Sequence, residues 1–157
     1  PSGYIDTTFC DTFDSVEPLN PEYLTHTGDV VIRLTAPYTA VLITEQLEGY
    51  VIPSSFVVVR TNKSLLLPEY LVWLINSQSV KRHISESVVS TMLGAVKPRY
   101  FADYEVDDLP LSHQRVLAEL NGLAHRETLL LTELAAEKEK YYDLLINQVF
   151  TDMKRGN

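Results

Sequence analysis

The stretch Leu109-Pro110-Leu111-Ser112-His113-Gln114, continued by residues 115–150, decides the fold of this 157-residue chain. It predicts one long amphipathic helix that follows Pro110, with Ser112 as the N-cap whose hydroxyl can accept from a free first-turn N–H. At about 1.5 Å per residue, a helix from Ser112 to Phe150 would measure roughly 58 Å. A compact domain of this size does not need so long a helix. A second helix is expected to cover it, unless the helix folds back on its own domain.

The apolar residues of this helix follow a heptad pattern. When residues 116–148 are set as heptads, seven of the ten a and d positions are apolar, which gives a wide and sustained stripe. These candidate partner-helix residues are Val116, Leu120, Leu123, Leu130, Leu134, Tyr141 and Leu144. The other seam positions hold Glu127, Glu137 and Gln148, which could set the register of a helix pair or simply face solvent.

The residues before the long helix predict a small sheet domain with short helices. Four short β-branched runs separated by turn signals, at 30–34, 40–44, 50–52 and 55–60, indicate a curled and largely antiparallel sheet after an irregular arm over 1–27. Helical spacing then begins at Pro68 and ends near 76–77, and a second helix covers 80–87. A loop or broken strand over 88–100 and a short strand over 104–107 complete the domain. The predicted fold class is α+β, a small curled antiparallel or mixed sheet domain followed by one long C-terminal helix.

Charge and cysteine content narrow the class of protein. The net charge of −8 by itself argues against a nucleic-acid partner. Residues 30–102, however, carry seven Lys and Arg against four acidic residues, a net +3 between two acidic flanks. The single Cys10 allows no internal disulfide and fits a reducing compartment. Because the chain also lacks a signal-peptide pattern and any run of 18 apolar residues, we expect a cytoplasmic protein with no membrane partner.

The sequence contains no motif for catalysis. Its four histidines lack metal-ligand spacing, and neither a phosphate-binding loop, a dinucleotide fingerprint nor a nucleophile elbow is present. Asp107 and Asp108 are adjacent and would point to opposite faces of a strand, so they are poor shared-proton partners. We therefore expect no metal and no cofactor, and a protein that is not an enzyme.

Four motifs occur along the chain in an order that is typical of one protein family. The first is Gly28-Asp29-Val30-Val31-Ile32-Arg33 with Ala36-Pro37-Tyr38, and the second is Leu-Pro-Glu-Tyr-Leu-Val-Trp-Leu-Ile-Asn-Ser at 67–77. The third is Leu93-Gly94-Ala95-Val96-Lys97, and the fourth is Leu109-Pro110-Leu111-x-x-Gln114. Together they resemble the Gly-Asp strand, the Pro-Glu-Tyr-Leu helix, the small-residue loop and the Pro-Leu-Pro…Gln segment of the specificity (S) subunit of a type I restriction-modification system. Ser112 stands where the family often has Pro.

The resemblance implies a non-catalytic protein that reads double-stranded DNA and docks DNA adenine methyltransferase (M) subunits, with restriction (R) subunits as further partners. Family members have two target-recognition domains and two long antiparallel helices, whereas this chain has one of each and resembles a half subunit. Residues 1–110 would then form a DNA-binding target-recognition-like domain with a short N-terminal part. Residues 111–150 would form the conserved-region-like helix, and 151–157 a polar tail. Two copies are expected to form a homodimer through their helices.

Nine residues are the candidates for contact with DNA. Base edges are read by Arg or amide side chains, and phosphates are held by Lys or Arg. The candidates are Lys97, Arg99, Lys81, Arg82, Arg33, Tyr38, Arg60, Lys63 and Tyr100, of which the first four are the strongest. Each base can equally be a solvated surface charge, and for Tyr38 and Tyr100 core packing is the stronger alternative.

Two other classes of function remain open from the sequence. An interaction module that uses the helix to recruit a protein partner, without any DNA role, is favoured by the net charge of −8. A small enzyme is the third alternative, and no motif supports it. A contiguous positive face would favour DNA binding, whereas dispersed bases would favour the interaction module.

Overall fold

The computed structural model describes residues 11–12, 14–88 and 94–155. The chain forms two compact units, Pro1–Ala118 and Glu119–Asn157. The predicted N-terminal arm is described except for residues 1–10, which include Cys10, and residue 13. Residues 89–93, with Leu93 of the small-residue loop, and residues 156–157 of the predicted tail also lie outside the described residues. None of the helices in the described part has the length and apolar character needed to span a membrane.

The first unit is built on a three-stranded antiparallel sheet in the order β2-β1-β3. The strands are β1 (Val30–Arg33), β2 (Ala40–Leu42) and β3 (Phe56–Val59). The central strand β1 is β-branched and buried along Val30–Ile32, as expected for a strand paired on both sides. The strand predicted at 50–52 is wrong: Val51 makes only an isolated bridge to Leu24, and the following Pro53 has no N–H to extend a ladder.

Three short helices follow the sheet. They are α1 (Pro68–Asn76), α2 (Gln78–Val88) and α3 (Pro98–Ala102). The helices predicted from 68 to 76–77 and over 80–87 are confirmed, and Pro68 takes the first helical position, where its missing N–H costs nothing. Of the loop or broken strand predicted over 88–100, residues 89–93 lie outside the described residues and Ala95 makes an isolated bridge. The two ends of that prediction are wrong, because Val88 ends α2 and Pro98 starts α3. Residues 104–107 form no strand, which agrees with the poor strand propensity of their acidic side chains.

One hydrophobic core joins the sheet to α1 and α2. Val80, Ile84 and Val88 recur every fourth residue and so face the same side of α2, where all three are buried. The core residues are Val30, Ile32, Tyr38, Ala40, Leu71, Ile75, Val80, Ile84, Val88 and Val96. Asn76 closes the outer edge of β2, since its amide accepts from the Ala40 N–H at 3.1 Å and donates to the Ala40 carbonyl at 2.8 Å.

The long helix is confirmed as α4 (Leu111–Arg155), a single element of 45 residues. It continues past Phe150, so residues 151–155 are its last turns and not a separate polar tail. It also begins earlier than predicted, because the Pro110 carbonyl already accepts from the Gln114 N–H at 3.0 Å. Ser112 therefore lies inside the first turn, exposed, and is not the N-cap.

Gln114 fixes the first turn of α4 to the sheet unit. Its side-chain oxygen accepts from the Leu67 N–H at 2.9 Å, and its amide donates to the carbonyls of Leu65 at 2.9 Å and Leu109 at 2.7 Å. Gln114 is only 2% exposed, so these bonds replace water completely. The segment before α1 and the start of α4 are thus held together by one side chain.

Replacing Gln114 by Met should lower the free energy of unfolding of the sheet unit by about 3 kcal/mol, because three backbone groups lose their hydrogen bonds to a buried side chain while the side-chain volume is kept. Chemical denaturation followed by the fluorescence of the single Trp73 measures the change. Ser112→Ala is the matched control on the same turn and should change stability by less than about 0.5 kcal/mol. A larger loss for Ser112→Ala than for Gln114→Met would contradict the assigned roles.

Candidate nucleic-acid interface

Arg60 is half-exposed, but its guanidinium is the centre of an ion-pair network around the buried Asp29 and is not a free surface base. Its Nε donates to Asp29 Oδ1 at 3.1 Å, and its second terminal nitrogen donates to the Leu24 carbonyl and to His26 Nδ1, each at 3.0 Å. The Asp29 side chain is 5% exposed and also accepts from the His26 N–H at 2.9 Å. Because Asp29 is buried, its charge requires Arg60 as a partner, and Arg60 holds residues 22–29 against the end of β3.

A pocket of about 320 Å³ opens beside this ion pair, and we call it the Gly28 pocket. It is lined by His26, Thr27, Gly28, Asp29, Arg60, Thr61 and Lys63. Gly28 has φ +94°, and a Cβ at this position would lie 2.8 Å from the Lys63 Nζ. The glycine is therefore required by its backbone conformation, whereas the Lys63 ammonium is the end of a flexible side chain that can move aside.

Arg33 and Lys97 form a second basic group. An antiparallel bridge joins Thr35 to Ala95, and the Val96 N–H donates to the Leu34 carbonyl at 2.8 Å. The bridge brings the segment that carries Arg33 next to the segment that carries Lys97, although Arg33 itself pairs with Phe56. Both residues are exposed, and the hydrogen bond described for the Arg33 side chain runs from its Nε to Thr35 Oγ1 at 3.0 Å. The two cations therefore face solvent from neighbouring segments.

The two basic groups lie at opposite ends of the central strand. Val30 pairs with Val59, next to Arg60, whereas Arg33 pairs with Phe56 at the other end of β1. At about 3.3 Å per residue, the strand separates them by roughly 10 Å. The candidate bases are therefore divided between two ends of the sheet instead of forming one continuous cluster.

The remaining candidate bases differ in their exposure to solvent and in their ion pairs. Arg99 donates through Nε to Asp103 Oδ2 at 3.1 Å, an exposed pair within one helical turn that costs little to break. Arg82 is exposed on α2. Its neighbour Lys81 is partly buried, and this burial lowers the pKa of the Lys81 ammonium. Of the four strongest candidates, Lys97 and Arg82 are thus the ones whose charge is both exposed and without a described ion pair.

The two candidate tyrosines pack inside the unit. Tyr38 is 5% exposed in the core, where its hydroxyl donates to the Gly94 carbonyl at 3.2 Å. Tyr100 packs edge-on against Phe101, with ring centroids 5.4 Å apart, and burial raises the pKa of its hydroxyl. Neither ring is presented for base stacking, so for both residues core packing, the alternative considered from the sequence, describes their position.

The apolar stripe of α4 is exposed along its whole length. All seven predicted partner-helix residues are exposed, from 52% for Val116 and Leu134 to 71% for Leu144. Gln114 is the buried residue that the structure records on this helix. An apolar face of this extent on a single chain marks an interaction surface.

A second apolar face near the C-terminal end of α4 was missed in the sequence. We call it the tail face, and it consists of Tyr142, Ile146, Val149, Phe150 and Met153, all exposed. These residues recur at helical spacing and occupy heptad positions b, c and f, away from the a/d seam. The helical spacing of these apolar residues was visible in the sequence, but the face was not recognised because the helix was expected to end at Phe150 and to be followed by a polar tail.

Comparison with solved structures finds the same architecture in type I restriction-modification proteins, although neither a scan of protein-family models nor a search of curated proteins gave a match. One similar chain comes from work on complex assembly and conformational transition of the type I R-M system, with TM-score 0.64 and 25% identity, covering 83% of this chain and 34% of that one. Another is the HsdS subunit from Thermoanaerobacter tengcongensis, with TM-score 0.59 and 26% identity, covering 78% of this chain and 32% of that one.

A small antiparallel sheet domain that leads into a long exposed helix is thus the architecture of HsdS specificity subunits. The chain resembles part of the specificity (S) subunit of a type I restriction-modification system, which confirms the resemblance inferred from its motifs. It spans about a third of the length of the HsdS chains that it matches.

Replacing Arg60 by Met should destabilise the sheet unit by about 3 kcal/mol, because it leaves the Asp29 carboxylate buried without its cation. Arg33→Met is the matched control at the other end of β1 and should cost less than about 0.5 kcal/mol. Urea denaturation of both variants gives the comparison. If Asp29→Asn in the Arg60→Met background restored no stability, the loss would not come from an unpaired carboxylate.

Proposed function

We propose that the chain is the DNA-recognition subunit of a type I restriction-modification system. In this function it reads a target site with its sheet unit, docks methyltransferase subunits through α4 and performs no chemistry itself. The observation that carries the proposal is the match of 83% of the chain to a type I system protein, together with motif residues that occupy structural positions in the fold.

The exposed cations support DNA contact by the sheet unit. Arg33 and Lys97 are exposed on neighbouring segments, and Arg82 adds an exposed guanidinium on α2. Guanidinium groups suit bidentate reading of guanine, and lysines suit phosphates. Their separation from the Gly28 pocket along β1 suits two contacts with one duplex, since backbone contacts spread along the DNA set the register of a recognition domain.

The seam of α4 supports a homodimer. Seven exposed apolar a and d residues require a partner, and a second copy supplies a stripe of the same pattern. In an antiparallel pair the two sheet units would lie at opposite ends of the helices. Such a dimer would hold two recognition units at a fixed separation and read a split or palindromic site.

The tail face supports docking of a second kind of subunit. Because it lies on b, c and f positions, it stays exposed when the a/d seam is occupied. Tyr142 and Phe150 supply the large rigid aromatic area that is enriched in protein interfaces. The methyltransferase subunit is the partner that we assign to this face, and restriction subunits would join through the complex.

A protein-interaction module without DNA binding is the second candidate. The division of the bases between two ends of β1, within a chain of net charge −8, favours it. In this function α4 would act alone, and the cations of the sheet unit would be ordinary surface charges.

DNA binding should depend steeply on salt if the sheet unit neutralises phosphates. The double variant Arg33→Gln/Lys97→Gln should lower the slope of log K against log[salt] by about 2, one for each lost phosphate contact. Fluorescence anisotropy with a labelled duplex over a NaCl series measures the slope. Lys138→Gln/Lys140→Gln in the second unit is the charge-matched control. Absence of wild-type binding to any duplex at low salt would favour the interaction module.

Light scattering should give a dimer for the wild type at high concentration and a monomer for Leu130→Glu, because a charge in the middle of the seam cannot be buried. Gly122→Ala, at heptad position c, is the matched control and should keep the dimer. An added Cβ at Gly122 meets nothing within 4 Å, so this change should also stabilise the helix by about 1 kcal/mol. A monomeric mass for the wild type would contradict the pairing.

A further inference from the structure

We propose that the Gly28 pocket binds a phosphate group, held chiefly by Lys63 and Thr61. For a DNA phosphodiester as the source of this group, the inference rests on the proposed function; for free phosphate it does not. The pocket's volume of about 320 Å³ lies at the lower end of the range for small-ligand sites.

The charged residues that line the pocket leave one cation in excess, since the formal charges of Asp29, Arg60 and Lys63 sum to +1. Asp29 is neutralised by Arg60, with Nε 3.1 Å from Oδ1. Lys63, whose ammonium lies over Gly28, has no ion pair in the part of the chain that the structure describes. The Glu48 carboxylate keeps its negative charge, but it does not line the pocket and its Oε2 accepts from the Thr27 hydroxyl at 2.6 Å. The local excess of positive charge in the lining favours an anion.

The hydrogen-bond donors of the pocket also favour an anion. The Thr61 hydroxyl is buried and has no hydrogen-bond partner among the described residues. His26 Nδ1 accepts from Arg60, so in the neutral ring Nε2 carries the proton and is also a donor. These donors and the Lys63 ammonium line one pocket, and together they suit a ligand rich in acceptors. A phosphate group supplies such acceptors and would take a charge-assisted bond from Lys63, and the Thr61 hydroxyl, which is closed to solvent, would turn toward the pocket to join it.

Arg60 is a positioning residue in this site. The hydrogen bonds described for it go to Asp29, His26 and the backbone of residues 22–24, so it shapes the pocket wall instead of supplying its main ligand bond. Lys63 and Thr61 are the residues whose change should affect binding without removing the buried ion pair.

Thermal unfolding of the full chain with inorganic phosphate, compared with chloride at equal ionic strength, tests the site. The wild type should gain Tm with phosphate, as any ligand of the folded state requires. Lys63→Gln should weaken phosphate binding by about tenfold, and Lys138→Gln should leave it unchanged. Equal Tm in phosphate and chloride for the wild type, or an undiminished gain in Lys63→Gln, would overturn the proposal.

Thr61→Val gives an independent test. If Thr61 had only a structural role, the substitution would lower Tm, whereas a role in phosphate binding predicts no loss of Tm without phosphate. Without phosphate, its Tm should equal or exceed that of the wild type, because a buried hydroxyl without a partner is replaced by a methyl group of the same shape. With phosphate, its Tm gain should be smaller than that of the wild type. A lower Tm without phosphate together with a full phosphate gain would overturn the assignment of Thr61.

A DNA titration separates the two sources of the phosphate group. If the pocket holds a backbone phosphate, Lys63→Gln should lower the salt slope of duplex binding by about 1. A phosphate-dependent Tm gain that Lys63→Gln weakens, together with an unchanged DNA slope, would support a site for free phosphate. If the wild type bound no DNA at all, the proposed function would fail, and the Tm measurements alone would decide on the pocket.

Discussion

A buried amide on the first turn of α4 is the constraint on which the rest of the structure depends. Gln114 has to satisfy its polar atoms without water, and it does so with backbone groups of Leu65, Leu67 and Leu109. Asn76 likewise bonds to backbone groups of Ala40 at the edge of β2. Asp29 bonds to the Arg60 guanidinium at the end of β3. Residues of three of the motifs that carry the family resemblance therefore hold segments of the chain together inside the sheet unit.

Local patterns predicted the parts of the fold that local physics determines. The heptad stripe gave α4, the β-branched runs gave three strands, and Pro68 marked the start of α1. The strand predicted at 50–52 and the N-cap predicted at Ser112 failed for one common reason. In each case a backbone hydrogen-bond partner determined the local structure. Val51 bridges to Leu24 only, and the Gln114 N–H bonds to the Pro110 carbonyl, so the helix starts before Ser112. Sequence spacing does not reveal such partners.

The candidate interface was less predictable than the fold. Nothing near Arg60 in the sequence indicates that its partner is Asp29, 31 positions earlier, or that Lys63 lies over Gly28. Likewise, only the folded chain distinguishes Tyr38, which is buried, from Arg33, which is exposed five residues before it. A basic residue becomes a candidate DNA contact only after its intramolecular partners have been counted, because a guanidinium that already neutralises a buried carboxylate has little left to offer a phosphate.

The exposure of α4 also has a consequence for the life of the chain in a cell. A copy without partners displays a ladder of leucines and aromatic rings, the type of surface that chaperones retain and proteases remove. If the chain assembles as proposed, a partner would cover that surface and lengthen the lifetime of the copy. The supply of the partner would then set how many copies persist, so that the amount of the protein would follow the amount of its partner through turnover and without matched synthesis.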